Sequence, residues 1–402
     1  MRITILTQYY PPETGAPQNR LHSLARNLLA AGHTVEVLTA MPNYPKMRVF
    51  DDYRGKMAYT ETIDGIAVRR SWIYVSRRKS IIPRLLNYFS FALTSGISGL
   101  RMRRSDYLLC ETPPLFLGLS AWVLARRMGA RLIFNVSDLW PETAEKLGIV
   151  GDGVMLRASY RLEAWIYRRS YLVTGQTQGI VQAIARRFPN VPVFWLPNGV
   201  DEDVVADVRP DTSWRQKYGL AGKKIFMYAG ILGHAQGLEV IIKAAAQLRN
   251  RCDLAFVIVG DGPLSEELQV LNRSLRAGVV FIPNTTKRVV MGMVIDVYAY
   301  IVVLKKLDLF KGAIPSKLFD PLAFGVPILL GVEGEAKDLF ITAGCAGIAF
   351  EPENEGELAE AIMRIARDPD ERDQMGRNGL AYVGKHFNRR RIAAQLISRM
   401  VQ

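Results

Sequence analysis

Two kinds of apolar pattern alternate along the chain. Short apolar runs rich in β-branched residues are separated by longer segments in which apolar residues recur every three or four positions. The short runs predict parallel strands buried on both faces, and the longer segments predict helices between them. In the first half the predicted elements are strands Ile3–Leu6, Val35–Leu38, Tyr107–Leu109, Leu132–Phe134, Tyr171–Val173 and Val193–Leu196, with helices such as Leu21–Ala31 and Leu115–Arg127. This alternation is typical of a doubly wound α/β sheet.

The alternation is interrupted near the middle of the chain, where Pro197–Asp201 leads into an irregular acidic stretch, and it resumes at Lys224. The second half is predicted to contain strands Ile225–Tyr228, Ala255–Val259, Val279–Ile282, Val297–Val303 and Pro327–Leu330, and helices Leu238–Leu248, Leu264–Leu275, Lys317–Phe324, Leu358–Ala366, Arg372–His386 and Arg389–Val401. We therefore predict two Rossmann-like domains, 1–200 and 201–385, and a C-terminal segment 386–402 whose helix packs back on the first domain.

Composition narrows the class of protein. Of the 402 residues, 49% are hydrophobic and 22% are charged, which is ordinary for a globular protein. The three cysteines are more than 90 residues apart and the chain has four histidines, so neither a disulfide framework nor a zinc cluster is indicated. The apolar stretch at the start is too short for the hydrophobic region of a signal peptide. We expect a cytoplasmic protein.

The positive charge is concentrated in the first half. Residues 1–200 contain 26 Lys and Arg against 13 Asp and Glu, whereas residues 201–402 contain 26 against 25. A basic surface attracts an anionic partner, and the usual candidates are nucleic acid and the anionic cytoplasmic leaflet of a membrane. The chain has no aromatic RNA-binding motif, no zinc-finger spacing and no basic heptad region, so we expect no nucleic acid partner.

A segment that fits a membrane surface lies in this basic half. Residues 81–100 carry one charge, Arg84, and are preceded by Arg77, Arg78 and Lys79 and followed by Arg101, Arg103 and Arg104. The length equals that of a spanning helix, but Pro83 and the polar residues lower its hydrophobicity. We predict an interfacial helix on the inner face of the membrane. A core helix of the first domain with solvated arginines at its ends is the alternative.

The strongest candidate for chemistry lies near the end of the second domain, in the stretch 310–327. Ser316 is predicted to cap the following helix, whose free N–H groups would face an anion. Lys311 and Lys317 would add positive charge, and the Asp320 carboxylate is placed to accept both hydroxyls of a ribose. Together these residues predict a site for a nucleoside diphosphate. An ordinary capped helix with exposed lysines explains the same pattern.

Other candidates follow predicted strands, where ligands of open α/β sheets bind. Gly15, Gly230 and Gly262 each allow a close approach of backbone to phosphate or sugar. Asp138 and Glu142 bring two carboxylates to the loop after Leu132–Phe134. Plain turns and helix caps account for these loops equally well.

The motifs together resemble retaining GT-B-fold glycosyltransferases of family 4, in particular the bacterial surface-polysaccharide branch with L-fucosamine transferases. The resemblance covers essentially the whole chain. It rests, in order, on YYPPETGAPQNRLHSLARNLLAAGH, MPNYP, NVSDLWPE, LPNGVD, YAGILGHAQGLE, VGDGP and GAIPSKLFDPLAFGVPI. The fold it implies is GT-B, an α/β architecture in which two doubly wound, Rossmann-like domains face each other across a cleft.

The resemblance assigns roles to individual positions. It implies that Gly15 faces the donor phosphates, that Gly230 and the backbone of the residues in the later motif hold the diphosphate, and that Asp320 contacts the ribose. Gly262 is a further predicted donor-binding residue. The residues of the later motif are Ile314, Pro315, Ser316, Lys317 and Leu318. Asp138, Lys317 and Asp320 are the predicted catalytic residues.

Three predicted residues lie on the acceptor side: Glu13, Asp138 and Glu142. The chain also departs from the family pattern. Gly312 and Asp320 stand where paired glutamates are usual, Pro321 follows, and Ile231 and Gln236 replace the Arg and Lys that clamp phosphate. Lys311 and Lys317 are the predicted substitutes for that clamp. Pro321 fits only in the first turn of a helix.

The implied activity is retaining transfer of a hexosyl or N-acetylhexosaminyl group. The donor would be a nucleotide sugar, in particular a UDP-sugar, and the acceptor a polyprenyl-diphosphate-linked saccharide in the synthesis of O-antigen, capsule or exopolysaccharide. No metal or other cofactor is expected. Two alternatives stay open: a UDP-sugar 2-epimerase of the same architecture, for which the chain offers few histidines, and a membrane-bound sugar-nucleotide binder without catalysis.

Overall fold

The structure is a computed structural model that describes residues 1–44, 47–76, 78, 81–146, 153–201 and 205–402. Arg77 and Lys79 of the basic flank, and Pro45 of the MPNYP motif, lie outside the described residues. The chain divides into two compact units. Unit 1 consists of Met1–Asn198 and Arg389–Gln402, and unit 2 consists of Gly199–Asn388.

Unit 1 is built on a mostly parallel sheet. Over the described residues its strands are β1 (Arg2–Leu6), β2 (Thr34–Ala40), β3 (Ala58–Ile63), β4 (Ile66–Ser71), β5 (Tyr107–Thr112), β6 (Arg131–Val136), β7 (Leu172–Gly175) and β8 (Val193–Trp195). They lie in the order β3-β4-β2-β1-β5-β6-β7-β8, and β3 alone of these runs antiparallel to its neighbour. The β3–β4 hairpin turns at Asp64-Gly65, and both residues have positive φ, as a two-residue primed turn requires.

Unit 2 is built on a parallel sheet. Over the described residues its strands are β9 (Lys224–Ala229), β10 (Leu254–Val259), β11 (Val280–Ile282), β12 (Ala299–Val303), β13 (Ile328–Gly331) and β14 (Gly347–Ala349). The order is β11-β10-β9-β12-β13-β14, so the strand order reverses beside β9. Loops at such a reversal are the usual ligand site of an open α/β sheet.

The helices connect these strands. In chain order they are α1 (Ala16–Ala30), α2 (Ile81–Gly99), α3 (Leu117–Met128), α4 (Glu142–Lys146), α5 (Val154–Arg169), α6 (Gln178–Arg187), α7 (Ser213–Lys217), α8 (Glu239–Gln247), α9 (Ser265–Leu275), α10 (Lys287–Val294), α11 (Phe319–Ala323), α12 (Glu335–Lys337), α13 (Glu355–Arg367), α14 (Pro369–His386) and α15 (Arg389–Val401). Short 3₁₀ turns occur at Asp51–Tyr53, His234–Gln236, Asp308–Gly312 and Ser316–Leu318, and a π-helical turn at Asp338–Ala343.

Helices cover both faces of the unit 1 sheet. On one face, α1 and α15 contribute Leu24, Leu28 and Leu396 to one buried cluster. On the other, α2, α3 and α5 contribute residues such as Phe91 and Leu124 to a second cluster. The unit is therefore doubly wound, and the C-terminal helix α15 packs with α1.

Helix α2 has two different faces. Asn87, Phe91 and Ser95 are buried against unit 1. The opposite face carries large apolar side chains that are between 44 and 66% exposed: Ile82, Leu86, Phe89, Leu93, Ile97 and, just beyond the helix, Leu100. The segment is thus a packed helix of unit 1 and also a surface with an apolar stripe.

Most predicted elements are present, and the differences have local causes. Strand β3 alternates between exposed and half-buried positions at the sheet edge, so it lacks the continuous apolar run that marks the central strands. The predicted helix Lys317–Phe324 is wrong in extent. A 3₁₀ turn occupies Ser316–Leu318 and α11 begins at Phe319, which places Pro321 in the first turn of α11.

Candidate active site

The loops after β9 and β10 pack backbone against backbone. Gly230 and Gly260 have φ values of 154° and 143°. A Cβ atom on Gly260 would lie 1.9 Å from the Gly230 carbonyl oxygen, and one on Gly262 would lie 2.4 Å from that of Leu232. The Leu232 amide donates to the Asp261 carbonyl at 3.0 Å. The glycines therefore allow the two loops to pack closely against each other. A simple strand-to-helix turn would not need a glycine for this reason.

Lys317 reaches this pair of loops from the 3₁₀ turn before α11. Its ammonium group donates to the Tyr228 hydroxyl at 2.6 Å and to Gln236 Oε1 at 2.8 Å. Nζ also lies 4.2 Å from the centroid of the Tyr228 ring. A Cβ on Gly230 would lie 3.2 Å from Nζ. Because glycine has no side chain, the ammonium group can lie directly against the backbone of the Gly230 loop.

The environment of Lys317 disfavours its charge. Burial lowers the pKa of Lys317 to about 7. Tyr228 and Gln236 supply oxygen acceptors but no carboxylate, so the hydrogen bonds orient the ammonium without neutralising it. An anion beside Nζ would complete this site.

Lys317 also lies where the family pattern expects a lysine that this sequence lacks. Gln236 occupies the sequence position where the resemblance expects a phosphate-binding lysine. In the structure, Lys317 Nζ lies in hydrogen-bond contact with that glutamine. The fold thus places a lysine ammonium at this position from a different loop.

Lys311, the other predicted phosphate ligand, is held elsewhere. Its Nζ lies 2.7 Å from Asp308 Oδ1 and 4.0 Å from Glu333 Oε2, and these carboxylates raise its pKa. A Cβ on Gly334 would lie 2.2 Å from the Lys311 carbonyl oxygen. The residue is therefore anchored among carboxylates, and these contacts do not include the residues around Lys317.

Asp320 lies in the first turn of α11 and pairs with a cation that the sequence did not reveal. Lys287 Nζ, at the start of α10, lies 3.4 Å from Asp320 Oδ1, and both side chains are partly exposed. Nearby, the buried Tyr300 hydroxyl donates to the Ala229 carbonyl at 2.8 Å and accepts from its amide at 3.0 Å. Burial raises the pKa of Tyr300 and the Asp320 charge adds to the shift.

Ser316 does not have its predicted role. Pro315 caps the 3₁₀ turn, the Leu318 amide donates to the Pro315 carbonyl at 3.2 Å, and no capping bond forms from the Ser316 side chain within the described residues. Ile314 and Pro315 are half-buried, whereas Leu318 is fully buried. Because α11 has five residues, its dipole is small, and the local positive charge comes from the Lys317 side chain.

In unit 1, Glu13 is an interior carboxylate. Its Oε1 accepts from the amides of Asn43 at 2.7 Å and Tyr44 at 2.8 Å, and Oε2 accepts from the Tyr10 amide at 3.2 Å. Burial raises the pKa of Glu13 to about 7, although the three backbone N–H groups favour the charged form. Glu13 thereby ties the loop after β1 to the segment after β2.

Gly15 begins α1. Its backbone is extended, and a Cβ there would lie 2.5 Å from Gln18 Oε1. The Asn19 amide donates to the Gly15 carbonyl at 3.1 Å. Any larger residue at position 15 would displace the buried Gln18 side chain.

Asp138 and Glu142 follow β6 but have different partners. Asp138 Oδ1 accepts from Thr143 Oγ1 at 2.6 Å, and burial raises the pKa of Asp138. Glu142 Oε1 lies 2.6 Å from Lys146 Nζ, and its Oε2 lies 3.7 Å from a guanidinium nitrogen of Arg187. Asp138 is therefore a buried carboxyl held by a hydroxyl, while Glu142 belongs to an ion-pair cluster.

A buried polar network beside Asp138 was not foreseen. Arg20 of α1 pairs with Glu111 at the end of β5, and Glu111 also accepts from Asn135 and Ser137. Asn135 in turn accepts from Thr174 Oγ1 at 2.6 Å. The network links the carboxyl ends of β5, β6 and β7, and its residues are far apart in sequence, so no local motif marks it.

Within the described ranges, no cluster of three or more His, Cys, Asp or Glu is arranged to hold a metal ion.

Two protein-family models match the chain in tandem. The model described as a glycosyl transferase 4-like domain matches residues 15–199, and that described as glycosyl transferases group 1 matches residues 210–381. The chain is a glycosyltransferase with these two domains. The first model covers most of unit 1 and the second lies in unit 2, where it includes both Lys317 and Asp320.

Proteins similar to this glycosyltransferase include bacterial glycosyltransferases. The putative colanic acid biosynthesis glycosyl transferase WcaI of Escherichia coli K12 is 28% identical over 375 residues, which cover 90% of this chain and 91% of WcaI. The GDP-mannose-dependent alpha-(1-6)-phosphatidylinositol monomannoside mannosyltransferase of Mycolicibacterium smegmatis is 27% identical, over 71% of this chain and 80% of that protein.

Solved structures agree with the predicted fold of this glycosyltransferase. Sucrose-phosphate synthase from Thermosynechococcus elongatus superimposes with a TM-score of 0.76 at 16% identity, covering 100% of this chain and 98% of that one. Anabaena Alr3699/HepE, in a complex with UDP and glucose, gives 0.72 at 16% identity, covering 100% and 99%. The predicted α/β fold of two Rossmann-like domains, the GT-B class, is confirmed.

Proposed function

We propose that this glycosyltransferase transfers a sugar, with retention of anomeric configuration, from a UDP-sugar to a polyprenyl-diphosphate-linked saccharide in surface polysaccharide synthesis. The observation that carries the donor half is the Lys317 ammonium, held by Tyr228 and Gln236 against the Gly230 loop. The similarity to WcaI, a putative colanic acid biosynthesis glycosyl transferase, supports a role in polysaccharide synthesis. The similarity to HepE, which was solved with UDP-glucose, supports UDP as the nucleotide of the donor.

The donor diphosphate fits the cluster around Lys317 chemically. A diphosphate supplies the anion that the ammonium lacks, and Gly230 places no side chain beside Lys317 Nζ, where a Cβ would lie 3.2 Å away. Asp320 would accept the ribose hydroxyls, which requires that it exchange its pairing with Lys287 for the nucleoside or share it. Gly15 and Gly262 remain candidates for backbone contacts with phosphate. Lys311 would act only after leaving Asp308.

In the proposed reaction, the bond between the anomeric carbon and the phosphate oxygen breaks, and the leaving UDP takes the electron pair. The acceptor hydroxyl forms the new bond on the same face, and its proton passes to the departing phosphate. Lys317 lowers the barrier by stabilising charge that grows on the leaving diphosphate. Asp138 would orient the acceptor hydroxyl, and positioning supplies much of the remaining acceleration.

The exposed stripe of α2 supports peripheral binding at the inner face of the membrane. The arginines at positions 84, 101, 103 and 104 are exposed beside an apolar stripe that unit 1 leaves uncovered. In the described residues, every helix falls short of the length or apolar character needed to cross a bilayer. An interfacial helix combines apolar insertion with attraction to anionic lipid.

Gly312 favours a second candidate, a membrane-bound sugar-nucleotide binder without catalysis. A Cβ at this position would meet no heavy atom within 4 Å, so the space where the resemblance expects a glutamate is unfilled by a neighbouring side chain. Loss of that carboxylate would remove a contact to the donor sugar without affecting the binding of the nucleotide.

A transfer assay with membrane lipid extract separates the two functions. The purified chain is incubated with radiolabelled UDP-sugars and extract, and the lipid phase is counted for wild type and for Lys317→Ala. Label entering the lipid phase with wild type but not with the variant supports the transferase. UDP binding by calorimetry without any transfer, across UDP-glucose, UDP-galactose and their N-acetylated forms, contradicts it and supports the binder. Release of a 2-epimerised sugar nucleotide would support the epimerase.

A further inference from the structure

Unit 1 contains a cavity whose lining includes neither Asp138 nor any residue assigned to the donor. It has a volume of about 520 Å³, within the range of small-molecule pockets, and lies between the segment after β2 and the segment after β4. Most of its lining is apolar or aromatic: Met41, Val49, Tyr53, Trp72, Ile73 and Tyr74. An apolar chain fits such a lining.

The cavity also carries a cationic rim. Arg48, Arg54 and Lys56 belong to its lining, and no acidic residue of the described chain does. Asp51 lies outside the lining and accepts from both arginines, so one carboxylate orients two guanidinium groups and leaves a net positive charge. Lys56 Nζ lies 3.9 Å from the centroid of the Tyr59 ring and donates to the Asp52 carbonyl at 2.8 Å. The rim suits a phosphate group.

Hydrogen bonds join the cavity wall to α2. Thr94 Oγ1 donates to the Trp72 carbonyl at 2.5 Å, and the Tyr74 amide donates to Ser90 Oγ at 2.9 Å. Leu93 and Ile97, which lie on the exposed stripe, belong to the same helix as these two hydroxyls. The wall of the cavity is therefore fixed to the helix that carries the apolar stripe.

We propose that this cavity holds the lipid end of the acceptor, with the first isoprene units in the apolar lining and the diphosphate at the rim formed by Arg48, Arg54 and Lys56. The inference rests on the proposed function for the nature of the acceptor. It adds a binding site that is separate from the donor cluster. It also gives the basic residues of unit 1 a specific ligand in addition to the membrane surface.

Farnesyl diphosphate tests the proposal with the full chain by calorimetry. We expect it to bind at least tenfold more tightly than farnesol, which lacks the phosphates, and than inorganic pyrophosphate, which lacks the chain. The double variant Arg48→Gln/Arg54→Gln should lose at least tenfold in affinity. Arg26→Gln/Arg186→Gln, which removes the same charge from exposed positions outside the cavity, should bind as wild type does.

A second variant tests the apolar part. Val75→Trp places an indole in the cavity and should abolish binding of farnesyl diphosphate while the thermal unfolding transition stays cooperative. Unchanged affinity in the double arginine variant overturns the proposal, as does pyrophosphate that binds as tightly as farnesyl diphosphate.

The variant Lys317→Ala tests whether farnesyl diphosphate binds in the cavity or at the donor site. This variant should leave farnesyl diphosphate binding unchanged, and a loss there would place the ligand at the donor cluster and overturn the inference. Loss of UDP binding is not expected from the arginine variants. A chain that binds farnesyl diphosphate as predicted but does not bind UDP would contradict the proposed function and leave the cavity assignment in place.

Discussion

The Nζ atom of Lys317 lies 2.8 Å from Oε1 of Gln236, and 81 residues separate the two along the chain. Gln236 belongs to the 3₁₀ turn after β9, and Lys317 belongs to the turn before α11. The central position of β9 in its sheet, beside both β10 and β12, brings these turns together. The ammonium group therefore depends on the fold of unit 2 for its place.

Lys317→Ala should weaken UDP binding by roughly tenfold to a hundredfold, because a charge-assisted hydrogen bond contributes about 1.5–3 kcal/mol. Calorimetry with UDP measures this directly. Lys311→Ala serves as the control, since its ammonium is paired with Asp308, and we expect a change of less than threefold. Equal losses in the two variants would contradict the assignment.

UDP affinity should fall as pH rises above about 7. The folded-state pKa of Lys317 is lowered to about 7, so the free site loses its charge above that pH, and binding must then take up a proton. Below about 7 the ammonium is already formed, so Lys317 adds no further pH dependence there. Lys317→Arg stays protonated and should flatten the profile between pH 7 and 9. A wild-type profile as flat as that of the variant would show that the ammonium is not titrating there.

Gly260→Ala should be more disruptive than Gly278→Ala. Both glycines have positive φ, but a Cβ at Gly260 would strike the Gly230 carbonyl, whereas at Gly278 nothing lies within 4 Å. We expect Gly278→Ala to cost about 1–2 kcal/mol of unfolding free energy from backbone strain alone, and Gly260→Ala at least about 3 kcal/mol together with loss of UDP binding. Urea denaturation compares the two, and equal costs would argue against the close loop contact.

Glu13→Ala should destabilise unit 1 by about 2–3 kcal/mol, because three backbone N–H groups lose their acceptor. The pKa of Glu13 is raised in the folded state, so its contribution is fully present below the unfolded-state value and declines as pH rises to about 7. The gap between wild type and variant should therefore be larger at pH 5 than at pH 8. Denaturation at both pH values checks the sign.

Leu86→Glu/Leu93→Glu should reduce sedimentation with vesicles of phosphatidylglycerol by at least tenfold, because both side chains belong to the exposed stripe of α2. Wild-type binding should also weaken as salt is raised. Val270→Glu, at an exposed apolar position of α9, should bind as wild type does. Binding of the double variant at the wild-type level would remove α2 from the membrane contact.

The sequence predicts those parts of the fold that have local signals. Strands such as β10 are buried at every position and therefore appear as continuous apolar runs. Helix α5 has a weaker signal, because its buried face includes Glu163, whose carboxylate is paired with Arg187 from α6. A charged residue in that position interrupts the apolar periodicity on which a helix prediction depends.

The candidate site follows the same division. The positions of Gly230 and Lys317 were predicted from motifs, yet the contact between the Lys317 ammonium and Gln236 depends on topology. The partner of Asp320, Lys287, and the pairing of Arg20 with Glu111 join residues from distant elements. Such pairs leave no pattern in a single sequence. The prediction for Ser316 failed because α11 begins at Phe319, two residues later than a cap at Ser316 would require.

The passage of the chain from unit 1 through unit 2 and back has a consequence for synthesis. Helix α15 supplies Ile392, Leu396 and Met400 to the core that α1 and the sheet form, and it is synthesised after the whole of unit 2. Unit 2 is complete earlier, at residue 388. During translation the nascent basic domain would keep an apolar groove open until α15 has emerged, and a fragment truncated after residue 198 would be the form most in need of a chaperone.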